Sequence, residues 1–248
     1  MPPTLTVIIP VWNEAPLIRD AIACARRIAD EVIVVDAHSP DGTASVAEAE
    51  GVRVVQAPKG RGPQLRAAAA VAQGDVLLFL HADARLPASA RDAVLAALAD
   101  EQIVGGGFYI RFLPASWFTR LLEPLNSLRR NLTQRYYGDT GIFVRRSVYE
   151  SLGGHRPWPV MHDYDFSGRM ERAGRCVYIR HPSIYASARR FEGREIRTRI
   201  LWLSIQSLYR VGVPPRLLGL AYRDARGSPE QDSAFLALAR ARTEEPGR

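Results

Sequence analysis

The chain has 248 residues, 47% hydrophobic and 24% charged, with a formal charge of +7; that is enough for one large domain or two small ones and excludes a chain that stays disordered. Two cysteines, Cys24 and Cys176, far apart and in no metal-like spacing, exclude a disulfide scaffold and read as reduced core thiols. The 33 basic residues include one lysine, Lys59, and such an arginine excess suits an anion or an acidic membrane surface; on charge alone we expect no nucleic acid.

The first hundred residues alternate regularly. Leu5–Ile9 is a predicted strand, Ala15–Ile28 a helix with Leu17, Ile18, Ala21, Ile22 and Ala25 on one face, and Glu31–Val35 a second strand. The turn Ser39-Pro40-Asp41-Gly42 precedes a short helix, Thr43–Glu50. Val52–Gln56, Pro63–Gln73, Val76–Leu80 and Ala88–Ala99 continue as strand, helix, strand and helix. Unbroken Val/Ile/Leu strands belong to a sheet covered on both faces, and four successive β-α units imply a parallel, right-handed, doubly wound α/β fold. Leu5–Trp12 is short and holds Pro10, so it reads as a buried strand rather than a signal peptide.

After residue 100 the pattern changes. Gly105-Gly106-Gly107 reads as a bulge or turn before a strand ending near Phe112. Trp117–Thr133 is a predicted helix whose stripe Trp117, Leu121, Leu125, Leu128 and Leu132 reads as a core face. Helices are expected at Arg146–Leu152, Asp163–Ala173, Ile196–Val211 and Pro214–Arg223, and a strand at Cys176–Arg180. Leu201–Tyr222 is interrupted by Arg210, Pro214, Pro215 and Arg216 and cannot supply about 20 uninterrupted apolar residues. The expectation is a cytoplasmic protein with at most peripheral membrane contact. We expect one domain over 1–226, a nucleotide-binding half (1–100) and an acceptor half (101–226), with 227–248 a loosely attached helix and tail.

In an open parallel sheet, ligands bind beyond the carboxyl ends of the strands. There the sequence places Pro10, Asn13 and Glu14 after the first strand, and Asp36, His38 and Asp41 after the second. Lys59 and Arg61 follow the third, and His81, Ala82 and Asp83 the fourth. Carboxylates from three strands and cations from the other suit a ligand carrying both a divalent metal and phosphates. Dinucleotide and P-loop glycine fingerprints are absent, as are H-E-x-x-H, C-x-x-C and G-x-S-x-G, which lowers dehydrogenase, zinc protease, redox and α/β-hydrolase readings.

Three segments, Val7-Ile8-Ile9-Pro10-Val11-Trp12-Asn13-Glu14, Val34-Val35-Asp36-Ala37-His38-Ser39-Pro40-Asp41-Gly42-Thr43 and Phe79-Leu80-His81-Ala82-Asp83, resemble the family 2 glycosyltransferases of the GT-A fold. Gly138-Asp139-Thr140-Gly141-Ile142-Phe143-Val144-Arg145-Arg146 with Leu152-Gly153-Gly154 is similar to that family's acceptor half. Met161-His162-Asp163-Tyr164-Asp165-Phe166 is similar to its catalytic acidic motif. The likeness spans about residues 4 to 222 and is nearest to the small bacterial radical-SAM/selenodomain-associated transferase 2 type.

The resemblance implies a GT-A-like central sheet flanked by helices with a helical C-terminal part. It implies a nucleotide-sugar donor, most often UDP-linked, Mn²⁺ or Mg²⁺, and inversion at the sugar carbon. Pro10, Asn13, Glu14 and Asp36 would bind the nucleoside, and Asp83 the metal that bridges the diphosphate. Lys59, Arg61, His81 and Ala82 would complete the nucleotide site, and Asp163 would be the base. Gly106, Asp139, Trp158, Asp165, Arg189 and Arg190 would border the donor and acceptor. The sequence departs from the family pattern at His81, Ala37 and His162, where acidic residues are usual.

Plainer roles stand beside these. Asp36 also fits a turn cap, Asp163 a carboxylate at a helix start, His81 a core histidine, Trp158 simple packing, and Arg189-Arg190 surface charge. Asp165 competes with Asp163 as base. A sugar-1-phosphate nucleotidyltransferase and a catalytically inactive binding protein of the same fold are the alternatives. The first would carry a Gly-rich basic loop after the first strand, which Pro10-Val11-Trp12-Asn13-Glu14 is not.

Overall fold

Strand β1 (Leu5–Val11) is wholly buried, and its side chains alternate between two apolar clusters: Leu5, Val7, Ile9 and Val11 in one, Ile8 in the other. β2 (Glu31–Asp36), with Val32 and Val34 opposed to Ile33 and Val35, and β4 (Val76–Phe79), with Val76 and Leu78 opposed to Leu77 and Phe79, divide the same way. That period-2 split is why the strands carry no polar alternation: both faces are covered. The computed structural model describes residues 2–221 and 229–244.

One face is covered by α1 (Ala15–Arg26), α2 (Thr43–Ala49), α4 (Ala90–Ala97) and α5 (Trp117–Thr133). The other is covered by α3 (Arg61–Ala69), α6 (Arg146–Ser151) and α7 (His162–Ala173). The remaining strands are β3 (Arg53–Gln56), β5 (Ala84–Arg85), β6 (Ile103–Leu113), β7 (Phe143–Arg145) and β8 (Arg175–Ser187). They complete one eight-stranded sheet in the order β3-β2-β1-β4-β7-β6-β8-β5. β1 to β4 are mutually parallel, β7 runs against both β4 and β6, and β8 is parallel to β6. The sheet is therefore mostly parallel, and the expected α/β class holds. A single sheet runs through both halves of the chain, and β7 joins them.

The second half departs from expectation in instructive places. The strand expected at Cys176–Arg180 continues to Ser187, through a register shift against Phe108–Ile110. The leucine stripe of α5 is not core: Trp117, Leu121, Leu125, Leu128 and Leu132 are all exposed, Trp117 by 72% and Leu132 by 76%. The buried face holds Phe118, Thr119, Leu122, Asn126 and Ser127 instead. A capping box between Ser116 and Thr119 fixes the start of this helix. Polar contacts then seat its inner face: Phe112 N–H donates to Glu123 at 2.9 Å, and Arg130 reaches Glu171 at 3.3 Å.

Helices α8 (Glu195–Arg210) and α9 (Pro215–Ala221) follow; the expected end of α9, at Arg223, lies outside the described residues. The C-terminal helix α10 (Pro229–Glu244) was expected to be loosely attached. It packs on α1 and β6 instead, with Phe235 and Ala239 fully buried beside Leu17 and Leu113. Asp20 on α1 pairs with Arg240 at 2.7 Å.

Candidate active site

The turns at the carboxyl ends of β1 and β2 are tied together. Asn13 N–H donates to Ser39 Oγ at 2.8 Å, Glu14 N–H to Thr43 Oγ1 at 2.9 Å, and Ala15 N–H to Asp41 Oδ2 at 3.1 Å. Asp36 is buried and accepts from Ser39 through both its N–H and its hydroxyl. This is the turn-capping arrangement that Asp favours. From α3, buried Gln64 donates to the carbonyls of Val11 (2.8 Å) and Val35 (2.9 Å), bridging the ends of β1 and β2.

Beyond β4 the chain turns at His81-Ala82-Asp83 and is pinned by Arg85, which is fully buried. Its guanidinium donates to the Ala82 and Ala84 carbonyls at 2.6 and 2.8 Å and pairs with Asp20 at 2.9 Å. Asp83 is thereby held in a network centred on Arg189. That guanidinium meets Asp83 Oδ2 at 3.0 Å, Glu14 at 2.7 Å and Asp232 of α10 at 3.4 Å. Burial pushes the Asp83 carboxyl up, but Arg189 and the other cations around it outweigh burial and hold it below the usual carboxylate range. The second oxygen, Oδ1, faces His81 Nδ1 at 4.0 Å. Burial and the adjacent Arg61 hold the His81 imidazole well below its ordinary value, so it is neutral. Arg61 Nη1 lies 2.9 Å from His81 Nε2.

These groups open onto a cavity with about 1040 Å³ of empty space, part of it continuous with solvent. Arg61, His81, Asp83, Asp139, Asp163 and Arg190 all line it. Gly138 joins its two sides. A Cβ placed there would sit 2.9 Å from His81 Nε2 and 3.4 Å from Asp163 Oδ2, so only glycine allows these groups so close. Gly138 N–H donates to Asp163 Oδ2 at 2.6 Å, and Tyr164 N–H to Asp163 Oδ1 at 2.8 Å. Burial, opposed by Arg129 and reinforced by Asp163, raises the Asp139 carboxyl to about 6. Among the described residues, His162 Nδ1 is buried without a hydrogen-bond partner, beside the same cavity.

Other sequence candidates lie off the cavity wall. Asp165 is engaged by Arg169 at 2.8 Å and Arg156 at 3.3 Å, a structural carboxylate rather than one facing the cavity. Trp158 packs on Tyr209 (6.2 Å between ring centroids) and Arg156. Gly106 lies inside β6, where a Cβ would strike the Val177 carbonyl and the Phe143 ring; its smallness serves the sheet. Lys59 stands over the Trp12 ring, 2.8 Å from its centroid. Pro10 is a β1 residue in register with Val35, Asn13 holds a positive φ of 56° in the following turn, and Ala82 is buried. Arg189, expected at the donor or acceptor, is instead buried inside its three ion pairs. Among the described residues, no group of three or more His, Cys, Asp or Glu side chains is placed to hold a metal ion unaided.

Sequence reading missed Gln64, Arg85 and Asp232. A lone Gln in the Ala-rich helix after β3 was a faint signal for the first. Nothing in the sequence marks the other two.

Comparisons with known proteins agree with this fold. The model of Glycosyl transferase family 2 matches residues 6–164. An uncharacterized glycosyltransferase of Rickettsia felis is 35% identical over 171 residues, covering 67% of this chain and 58% of the relative. One from Rickettsia bellii is 40% identical over 83 residues, covering 33% of this chain and 28% of the relative. The chain thus spans under two thirds of the length of the curated relatives it matches. Glucosyl-3-phosphoglycerate synthase from Mycobacterium tuberculosis, solved with Mn²⁺, UDP and phosphoglyceric acid, superposes with a TM-score of 0.62 at 22% identity, over 86% of this chain and 80% of that one. The mannosyltransferase PcManGT from Pyrobaculum calidifontis, solved with GDP-Man and Mn²⁺, gives 0.60 at 24% identity, over 97% and 70%. At such identities the likeness shows a shared fold. With a family match over most of its length and that fold, the chain belongs to glycosyl transferase family 2.

Proposed function

We propose that the chain moves one sugar from a nucleotide sugar, UDP-linked, to an acceptor hydroxyl with inversion at the sugar carbon, in the cytoplasm. It would do so as a single domain, to which α10 also belongs, of the small radical-SAM/selenodomain-associated type. Asp36, Asn13, Pro10 and Glu14 would receive the nucleoside at the tied β1 and β2 turns, and Arg61, with Lys59 and Arg190, the diphosphate. The observation that carries the reading is Gly138. It packs against His81 on the nucleotide side and donates to Asp163 on the other, within one cavity.

The residues present fit a hard divalent cation. Asp83 Oδ2 is taken by Arg189, while Oδ1 faces a neutral imidazole, which adds no charge to repel a cation. Mn²⁺ and Mg²⁺ are commonly held by one or two protein groups and completed by substrate phosphates. Asp83 would hold the ion through Oδ1, and when bound it would neutralise charge on the departing diphosphate. Arg61 and Arg190 add fixed positive charge on the same side.

Asp163 is the base in this reading. Its two backbone hydrogen bonds fix its orientation, and each oxygen keeps a lone pair for an acceptor hydroxyl. A positioned base of this kind contributes about 10²–10⁴-fold. Asp139, ionising near 6, places a second carboxylate beside it.

The test is a thermal-shift panel of UDP, GDP, CDP and dTDP with and without Mn²⁺. A nucleotide at a hundred times its Kd adds about 2.7 kcal/mol. Asp83→Ala removes the metal-dependent part of the shift, and Asp163→Asn keeps it while abolishing turnover. Full turnover by Asp163→Asn would overturn the base assignment. Pyrophosphate release from a nucleoside triphosphate would favour the nucleotidyltransferase, and no shift with any nucleotide an inactive binding protein.

A further inference from the structure

Two helices of the second half turn apolar faces outward. On α5 these are Trp117, Leu121, Leu125, Leu128 and Leu132; on α8 they are Ile196, Ile200, Leu203 and Leu208, each at least 42% exposed. The spacing is that of an amphipathic helix whose apolar stripe meets no protein core. The two faces belong together. Both helices wall the cavity, α5 through Arg129 and α8 through Arg199, Trp202 and Leu203. A run of rings, Trp117, Phe118, Phe191 and Trp202, with centroids 5.8, 5.5 and 5.7 Å apart, leads from one to the other.

Charge decides what covers this surface. On α5 Arg129 stacks on Tyr137 and Arg130 pairs with Glu171, which leaves Arg120 exposed, while the acid Glu123 already accepts from Phe112 N–H. On α8 Arg199 lines the cavity and Arg210 donates to the Tyr164 hydroxyl, which leaves Arg197 exposed. Arg120 and Arg197 thus flank the two apolar stripes as exposed cations. Two copies meeting through this face would bring like charges together while burying them. An anionic bilayer meets both features at once: its headgroups take the arginines and its acyl boundary takes the leucines. A tryptophan at the start of α5 suits the same depth, because its ring is amphipathic. Among the described residues no helix is long and apolar enough to cross a membrane, so the contact is one of lying on the surface.

We propose that the α5–α8 face seats this protein on an anionic lipid surface, with the cavity rim at Leu203 against the headgroups. The proposal stands apart from the donor chemistry, because none of its test residues belongs to the nucleotide or base machinery.

The experiment is flotation of the full chain with vesicles of phosphatidylglycerol and phosphatidylcholine in equal parts, beside vesicles of phosphatidylcholine alone. The expected result is binding to the anionic vesicles at least about tenfold tighter than to the neutral ones, weakening as salt rises. Arg120→Gln with Arg197→Gln lowers affinity about thirtyfold, near fivefold for each arginine. Leu121→Glu with Leu125→Glu abolishes flotation while leaving the circular dichroism spectrum unchanged, as exposed substitutions do. Failure to bind anionic vesicles at low salt overturns the proposal, as does binding that neither pair alters. Light scattering that finds a dimer, dissociated by the Leu121 and Leu125 changes, assigns the face to a second copy and overturns it too. The nucleotide-induced thermal shift of these variants stays that of the parent, so loss of docking and loss of donor binding are read separately.

Discussion

Arg189→Met tests whether the Asp83 loop is held by charge. The substitution keeps an aliphatic stem of similar length but removes the cation that meets Glu14 at 2.7 Å, Asp83 at 3.0 Å and Asp232 at 3.4 Å. Breaking one side of a buried ion pair costs about 3–5 kcal/mol, because the partner is left charged and unpaired. The three carboxylates keep side-chain exposures of 17%, 11% and 10%, so water relieves part of that, and about 3 kcal/mol is the figure to expect. For a chain of this size that lowers the midpoint of thermal unfolding by about 6–12 °C. The pH dependence carries the sign. With Arg189 present, Asp83 sits below its ordinary 3.8, and its contribution is present above that value and lost only as pH falls below it. Without Arg189 the strongest of the lowering charges is gone and the carboxyl moves up from its place in the parent; a carboxyl so raised costs stability above its folded pKa and returns it as pH falls. The deficit of the variant is therefore larger at about pH 8 than at about pH 5. Adding Asp83→Asn to the variant restores part of the loss. A deficit under about 1 kcal/mol, or one equal at both pH values in paired melts, would refute the argument.

Gly138→Ala puts a methyl group 2.9 Å from His81 Nε2; displacement by a few tenths of an ångström should lower turnover about tenfold, measured against an unchanged melting temperature. Gln64→Leu removes the donor to Val11 and Val35, and should cost about 1–3 kcal/mol in urea unfolding. His81, His155 and His162 are all held below 6.5 by burial first, so the stability they contribute is complete above pH 6.5 and lost as pH falls through it. His155→Gln should lower the slope of stability on pH by about 1.4 kcal/mol per unit in that window; an unchanged slope in pH-stepped denaturation would show that His155 is not one of the groups taking up protons.

The first half of the fold was legible because its elements are specified locally. Four strands alternate with four helices, and β1, β2 and β4 place apolar side chains on both faces because both faces are covered. Beyond residue 100 the same reading weakened, because what decides an element there is its partner in the tertiary structure. β7 is three residues long and exists by pairing with β4 and β6. β8 runs past its apolar stretch because β6 and β5 both hydrogen-bond to its end. The α5 stripe shows the limit most clearly. Leucines spaced three and four apart give a helix and one apolar side, but periodicity does not say whether that side meets protein. Here the inner side is half polar and seated by Glu123 and Arg130, and the leucines were left to the outside.

At the cavity wall, residues whose placement depends on the local chain were legible, and those placed by the whole network were not. His81, Asp83, Asp163 and Asp139 follow strands or open helices, places where side chains face a crevice in any sheet of this kind. Asp36 stands at such a place too, and its carboxylate accepts from the N–H and hydroxyl of Ser39, three residues on. Arg189 was separated from plain surface charge only by Glu14, Asp83 and Asp232, which come from positions 175, 106 and 43 residues away. That last partner explains why α10 belongs to the site's architecture. Asp232 holds Nη1 of Arg189, Arg189 fixes one oxygen of Asp83, and the other oxygen is thereby left facing His81 and the cavity. A helix that composition presents as a polar tail thus helps to set which Asp83 oxygen faces the cavity.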